Sequence, residues 1–178
     1  MITILLIIFL IGAFTAFYQY AVSHVMEVEL KKVKVDPLKD WVRNKNSLNV
    51  YALNESEKEE IINNIDDYKK VLYYFEIKNH SPLAYSVYHR VQPIFSEDTK
   101  KLLVTSEKQL RFPQNIPSGE AYTTFMTAII KTNDSLTDQE IMNIVSKDQF
   151  TITGGREVWI IPFGDESVTA GPLHKNEE

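Results

Sequence analysis

The chain has 178 residues, a formal net charge of −5, 24% charged and 44% hydrophobic residues, and no cysteine. That length suits one domain plus an anchor. The acidic balance gives no electrostatic footprint for nucleic acid, and the lack of cysteine excludes disulfides, thiolate nucleophiles, cysteine metal sites and a lipidated-cysteine anchor.

Residues 1–24 read as a single transmembrane anchor. No Asp, Glu, Lys or Arg occurs among the first 26 residues, and Ile, Leu, Phe or Val fills twelve positions between Ile2 and Val22. A hydrocarbon core of about 30 Å needs about 20 such residues in a helix. Phe17, Tyr18 and Tyr20 stand where an interfacial aromatic belt lies. A cleaved signal peptide would need a basic start and a small-x-small cleavage site. No Lys or Arg precedes the apolar run, Ala13 and Ala16 have the wrong spacing, and bulky Phe17 and Tyr18 follow, so a retained anchor is expected. Gly12, Ala13 and Ala16 form a small-residue stripe on which another helix can approach closely.

Residues 25–163 read as a β-rich domain and 164–178 as a polar tail. Residues 26–35 alternate as a strand with a bulge at Lys31-Lys32, ended by Asp36-Pro37. Residues 38–52 carry Trp41, Val42, Val50 and Tyr51 as packing candidates. Ser56-x-x-Glu59 has the form of a capping box opening a short helix with Ile61, Ile65 and Tyr68 on one face. Val71, Tyr73, Phe75 and Ile77 then share one face of a strand, followed by a turn at residues 79–82. Tyr85, Val87, His89 and Val91 line one face of the next strand, stopped by Pro93. A short strand is expected over residues 102–105, a turn at Pro117-Ser118-Gly119, and a long strand over 121–131. Thr137-x-x-Glu140 is a second capping box, with Ile141, Ile144 and Val145 as a buried stripe. Residues 150–153 and 157–161 read as a hairpin turning at Gly154-Gly155. About seven strands, two short helices and no βαβ rhythm predict an antiparallel immunoglobulin-like β-sandwich.

Three stretches, residues 73–79 (Tyr-Tyr-Phe-Glu-Ile-Lys-Asn), 116–120 (Ile-Pro-Ser-Gly-Glu) and 136–141 (Leu-Thr-Asp-Gln-Glu-Ile) leading into Phe150-Thr151-Ile152, have a familiar order. It resembles the immunoglobulin-like extracytoplasmic domains of small membrane-anchored Gram-positive bacterial proteins. The resemblance covers about 90 residues and implies a fold and an outer-surface location, with no catalytic residues to carry over. The uncharged start and the extra segment at residues 36–68 depart from it.

No serine is followed by Met-x-Pro as in signal peptidases, and no Gly-x-Ser-x-Gly or phosphate loop occurs. His80 and His89 sit at opposite ends of a turn-to-strand stretch, on the order of 20 Å apart at ~3.3 Å per residue, too far to share a metal. His89, on an apolar face, reads as a core histidine. No calcium loop is formed by Asp66-Asp67 or the acidic run at 57–60. The candidate surface pair is Tyr74 with Tyr88. The expectation is a single-pass, cofactor-free, non-enzymatic interaction module with a protein or envelope partner. The alternatives are an accessory subunit of a membrane complex that uses its helix, and then an enzyme of unrecognised type. For orientation, Lys31, Lys32, Lys34 and Lys39 all follow the helix and favour a cytoplasmic domain by the positive-inside rule. The resemblance favours the outside, and the outside is the expectation adopted.

Overall fold

The structure, a computed structural model, describes residues 2–23, 25–107, 110–112, 115–132, 136–158 and 161–173. Helix α1, Ile2–Ser23, is apolar along its described length. It is long and apolar enough to cross a membrane, and the stretch Thr3–Tyr20 buries none of its residues against the rest of the chain.

Two antiparallel four-stranded sheets follow. The first contains β1 (Met26–Pro37), β2 (Tyr68–Asn79), β6 (Ala121–Lys131) and β4 (Leu103–Ser106), in the order β1-β2-β6-β4. The second contains β5 (Leu110–Phe112), β3 (Tyr85–Ile94), β7 (Gln149–Val158) and β8 (Ile161–Ala170), in the order β5-β3-β7-β8. Alternation along each strand sends one face inward. Val71, Tyr73, Phe75 and Ile77 of β2 meet Val91 of β3 and Phe150 and Ile152 of β7 in a common core. The Phe150 ring lies 4.7 Å from Tyr73 and 4.8 Å from Phe75, centroid to centroid. The β1 bulge falls between Leu30 and Lys32, where the sequence placed it.

A second cluster covers the outside of the first sheet. Leu38, Val42, Leu48, Tyr51 and Ile61 pack on Tyr68 and Ile129, and the Tyr51 hydroxyl is 2.8 Å from Thr127 Oγ1. Trp41 and Val50, expected to pack, are 43% and 63% exposed. Trp41 instead lies under the Lys70 ammonium, 4.1 Å from the ring centroid. Helix α2, Glu55–Asn63, is capped by Asn54 and Glu57, not by Ser56 and Glu59. Both pairs have the capping spacing, and the earlier one closes reciprocally, with Glu57 N–H donating to Asn54 (2.9 Å) and Asn54 N–H to Glu57 (2.7 Å). Ile65 and Tyr68 lie beyond the helix, in a 3-10 turn and at the start of β2. Helix α3, Glu97–Leu102, was not expected. Helix α4, Asp138–Val145, carries the expected Thr137–Glu140 box, with Ile141 and Val145 buried and Ile144 half-buried.

A buried carboxylate ties the layers together. Asp148 accepts the Tyr73 hydroxyl (2.6 Å) and the Ser96 amide (2.8 Å), joining β2, the approach to α3 and the approach to β7. Burial, then the nearby Asp148 charge, raises the Tyr73 hydroxyl well above the usual tyrosine range, so it stays a donor.

Two expectations fail in the C-terminal region. The hairpin does not turn at Gly154-Gly155: β7 runs through both glycines to Val158, and β8 returns from Ile161. The reason is packing. A Cβ on Gly154 would lie 2.9 Å from the His89 ring and 3.2 Å from the Met26 sulfur, and one on Gly155 would lie 3.1 Å from Val87. Neither glycine has positive φ, unlike Gly119 at +75°, which does make the expected turn after Pro117. Nor does a polar tail begin at 164, because β8 continues to Ala170; residues 174–178 of the expected tail lie outside the described residues. Only Val168 and Ala170 mark its inner face in apolar terms; the third position, opposite Gly154, is Glu166.

Replacing Gly154 with Val is therefore expected to cost about 1 to 3 kcal/mol by overpacking. In the Gly154→Val, His89→Ala double variant, removing the ring recovers part of that loss. Chemical-denaturation curves of the four corners of the cycle check this. Strictly additive losses would show that backbone strain, not the ring, opposes a side chain at 154.

Candidate functional site

The two tyrosines expected as a surface pair do not meet. Tyr74, on the first sheet, packs 5.8 Å from the ring of its β6 register partner Phe125. Tyr88 belongs to the second sheet, where it is 63% exposed. Gly12, Ala13 and Ala16 are exposed on α1, with no atom within 4 Å of the position a Gly12 Cβ would take.

Tyr88 is the most distinctive backbone position of the domain. Its φ of 52° makes it the one non-glycine residue with positive φ among those described. A bulky side chain is rarely held there. The cause lies in β3. One extra residue is inserted between Val87 and Arg90 relative to β7. Ser86 and His89 both face inward, with Ser86 Oγ 2.7 Å from His89 Nε2. Bringing His89 back to the core after Val87 forces Tyr88 out through the bulge. The expected face of Tyr85, Val87, His89 and Val91 is therefore split: Val87 lies against Gly155 on the outer side, and His89 against Gly154 on the inner side.

Outside, the missing side chain of Gly155 leaves a depression. It has a volume of about 170 Å³ and is lined by Tyr88, Arg90, Thr153, Gly155 and Asp165. A neighbouring hollow of about 210 Å³ continues past Arg156 and Glu157 to Pro162 and Gly164. The floor is braced by a hydrogen bond between Thr153 and Ser167 (2.8 Å) and by Arg156 donating to the Phe163 carbonyl (3.1 Å). An exposed aromatic ring with one cation and one anion beside it, on a sheet rather than a loop, is suited to gripping a polypeptide or another polar polymer.

The interior pair is closed off from solvent. A serine hydroxyl against an imidazole is part of a nucleophile arrangement, but Ser86 and His89 are both buried. Among the described residues, His89 Nδ1 has no hydrogen-bond partner to orient it as a base. His80, at the exposed start of the 80–84 turn, pairs with Glu27, and His24 and His174 lie outside the described residues. Among the described residues, no group of three or more His, Asp or Glu side chains is placed to hold a metal ion.

Two residues matter at this end, and the sequence marks only one of them, Asn79. Glu166 accepts the backbone N–H groups of Val25 and Met26, each at 3.1 Å, where α1 passes into β1. Asn79 is buried and donates to the carbonyls of Ala84 (2.7 Å) and Ile116 (2.8 Å) while accepting from Ser81 N–H (2.9 Å). Asn79 at least ends a recognisable strand. Glu166 has no local signal, because its partners are about 140 positions away.

Burial pushes the His89 imidazole down to about 4. Between its unfolded value of about 6.5 and that value, the unfolded chain binds a proton that the folded domain excludes. Stability is therefore full above about pH 6.5 and falls as the pH drops toward 4, by roughly 2 to 3 kcal/mol from this residue. Urea unfolding at pH 7.5 and 4.5 is expected to show a smaller pH dependence in His89→Asn than in the parent. An equal dependence would show that the imidazole is not shielded.

No protein-family model matches the chain, and neither does any curated protein. Among solved structures it is similar to Northeast Structural Genomics Consortium target SoR45, at 17% identity and a TM-score of 0.34, covering 86% of this chain and 94% of the other. It is also similar to a protein from Archaeoglobus fulgidus, at 8% identity and a TM-score of 0.28, covering 79% of this chain and 95% of the other.

Proposed function

We propose that the chain is a non-enzymatic interaction module of immunoglobulin-like type, tethered to a membrane by α1 and working on its outer side. The observation that carries this reading is the outer face of the second sheet. There Tyr88 is held exposed in a strained conformation above the Gly155 depression, on a domain joined directly to an uncovered apolar helix. Strain of this kind costs on the order of 1 kcal/mol or more and is concentrated at sites of function.

The strand orders support the immunoglobulin-like reading. In chain order, β1-β2-β6-β4 matches the A-B-E-D sheet, and β3-β7-β8 matches the C-F-G sheet. The motifs of the Gram-positive resemblance also converge in space, with Gly119 N–H of the Pro-Ser-Gly-Glu turn donating to the Asn79 carbonyl (2.9 Å). The strand β5 beside β3 and the 38–67 segment on the first sheet are additions to that pattern. The second reading, an accessory subunit gripping its complex through α1, is favoured by the open surface at Gly12.

A photo-crosslinking amino acid placed at Tyr88, Val50 or Gly12 of the full chain in native membranes separates these readings. The interaction module predicts a discrete adduct from position 88 and none from 50. An adduct from position 12 alone would favour the subunit, and none from either would remove both.

Orientation is tested with a C-terminal epitope tag. Protease added to intact cells is expected to remove the tag. A tag that survives until the membrane is lysed would place the domain in the cytoplasm and exclude an envelope partner.

A further inference from the structure

A hydrophobic groove opens where the domain meets its helix. It has a volume of about 320 Å³ and is lined by Phe14 and Tyr18 of α1, by Leu83 of the 80–84 turn, and by Val158, Ile161 and Phe163 at the tip of the β7–β8 hairpin. Tyr18 and Phe163 meet edge to face at 5.2 Å. All six lining side chains are apolar or aromatic, yet Ile161 is 53% exposed and Leu83 41%. No charged residue occurs from Val158 to Phe163, whereas Arg156 and Glu157 precede this run and Asp165 and Glu166 follow it.

The position along the helix is decisive. Phe14 and Tyr18 lie nine and five residues before Ser23, the last residue of α1. At 1.5 Å per residue, that is about 13 Å and about 7 Å from the end of the helix. The whole helix is about 33 Å long, close to the thickness of the hydrocarbon core. If α1 crosses a bilayer, whatever touches Phe14 and Tyr18 cannot remain in water; it must lie among the acyl chains of that leaflet, about 7 to 13 Å below the end of the helix.

We propose that the β7–β8 hairpin tip is a second membrane-insertion element, and that the groove between it and α1 is filled by phospholipid acyl chains. This rests on the reading of α1 as a transmembrane helix. The backbone suits such a place. Val158 and Ile161 are register partners, so the β7–β8 ladder pairs backbone with backbone up to that point. On the outer edge strand, Pro162 has no N–H to leave unpaired in lipid. The charged residues on both strands begin one to two positions behind the tip and limit how far it can sink. Leu83 is presented beside the tip by a rigid turn, in which Ser81 Oγ accepts the amides of Leu83 (3.2 Å) and Ala84 (2.8 Å). The domain is thus held at a fixed tilt by two apolar contacts with the membrane, rather than swinging on one.

The absence of cysteine makes the test direct. Single substitutions Phe9→Cys, Ile161→Cys, Leu83→Cys and Val50→Cys in the full chain are labelled with the environment-sensitive fluorophore NBD. The proteins are reconstituted in phosphatidylcholine–phosphatidylglycerol vesicles carrying a nitroxide at acyl carbon 5 or carbon 12. Label at Ile161 and Leu83 is expected to emit to the blue of label at Val50 and to be quenched several-fold more strongly, most by the carbon-5 nitroxide. Label at Phe9 is expected to be quenched most by the carbon-12 nitroxide. Quenching at Phe9 with none above the Val50 level at 161 and 83 would overturn the insertion while leaving the anchor intact. A blue shift at 161 without quenching would mean that protein, a second copy or a partner helix, fills the groove, and would also overturn the proposal. No quenching at Phe9 would remove the transmembrane reading and the proposal with it.

Discussion

The two sheets are joined through Phe150 and, two residues earlier, Asp148. The Phe150 ring fills the space against Tyr73 and Phe75, and Phe95 closes over it at 6.5 Å. Asp148 then fixes where that ring sits, because its carboxylate holds the Tyr73 hydroxyl from the opposite sheet and the Ser96 amide from the segment leaving β3. A buried carboxylate is costly unless its lone pairs are satisfied. Here both oxygens are used, and the cost of breaking the arrangement is what makes one sheet register preferable to its neighbours. The inward phase of β7, and with it the position of Gly154 under His89, follows from that placement.

The same phase explains the surface. With Ile152 and Gly154 facing in, Thr153 and Gly155 face out, and the ladder to β3 requires both Val91 and His89 to face in as well. Ser86 also faces in, three positions before His89, which an unbroken strand cannot provide at period two. The bulge at Tyr88 is the solution, so an exposed and strained tyrosine is produced by a hydrogen bond in the core. Surface and core are coupled at this point: a change at Ser86 or His89 would be felt at Tyr88, although neither touches solvent.

Much of the architecture is legible in the sequence because it rests on strong local signals. The uncharged helix, the β1 bulge at the doubled lysine, the alternation of β2 and the Thr137–Glu140 box are all read from neighbouring residues. What is missed depends on distant ones. The Gly154-Gly155 pair resembles a turn because a glycine pair has the right freedom for one; that it is needed for a buried ring 65 positions earlier cannot be seen locally. Strand β8 is missed because its inner face is Glu166, Val168 and Ala170, a set with little apolar contrast. Tyr74 and Tyr88 look like a pair only if the chain between them stays in one sheet, and β2 and β3 belong to different ones.

Glu166 gives the junction a temporal character. The amides of Val25 and Met26 emerge just behind the helix, but the carboxylate that receives them is made some 140 residues later. At ~5 to 20 residues per second, synthesis leaves that interval open for on the order of ten seconds. The stretch behind α1 is held earlier from its other side, where His80 N–H donates to the Val25 carbonyl (2.8 Å) and Met26 faces Asn79 in the β1–β2 ladder. The base of the helix is thus secured in two stages, first by β2 and the turn after it, and only later, once β8 lies beside β7, by the Glu166 carboxylate.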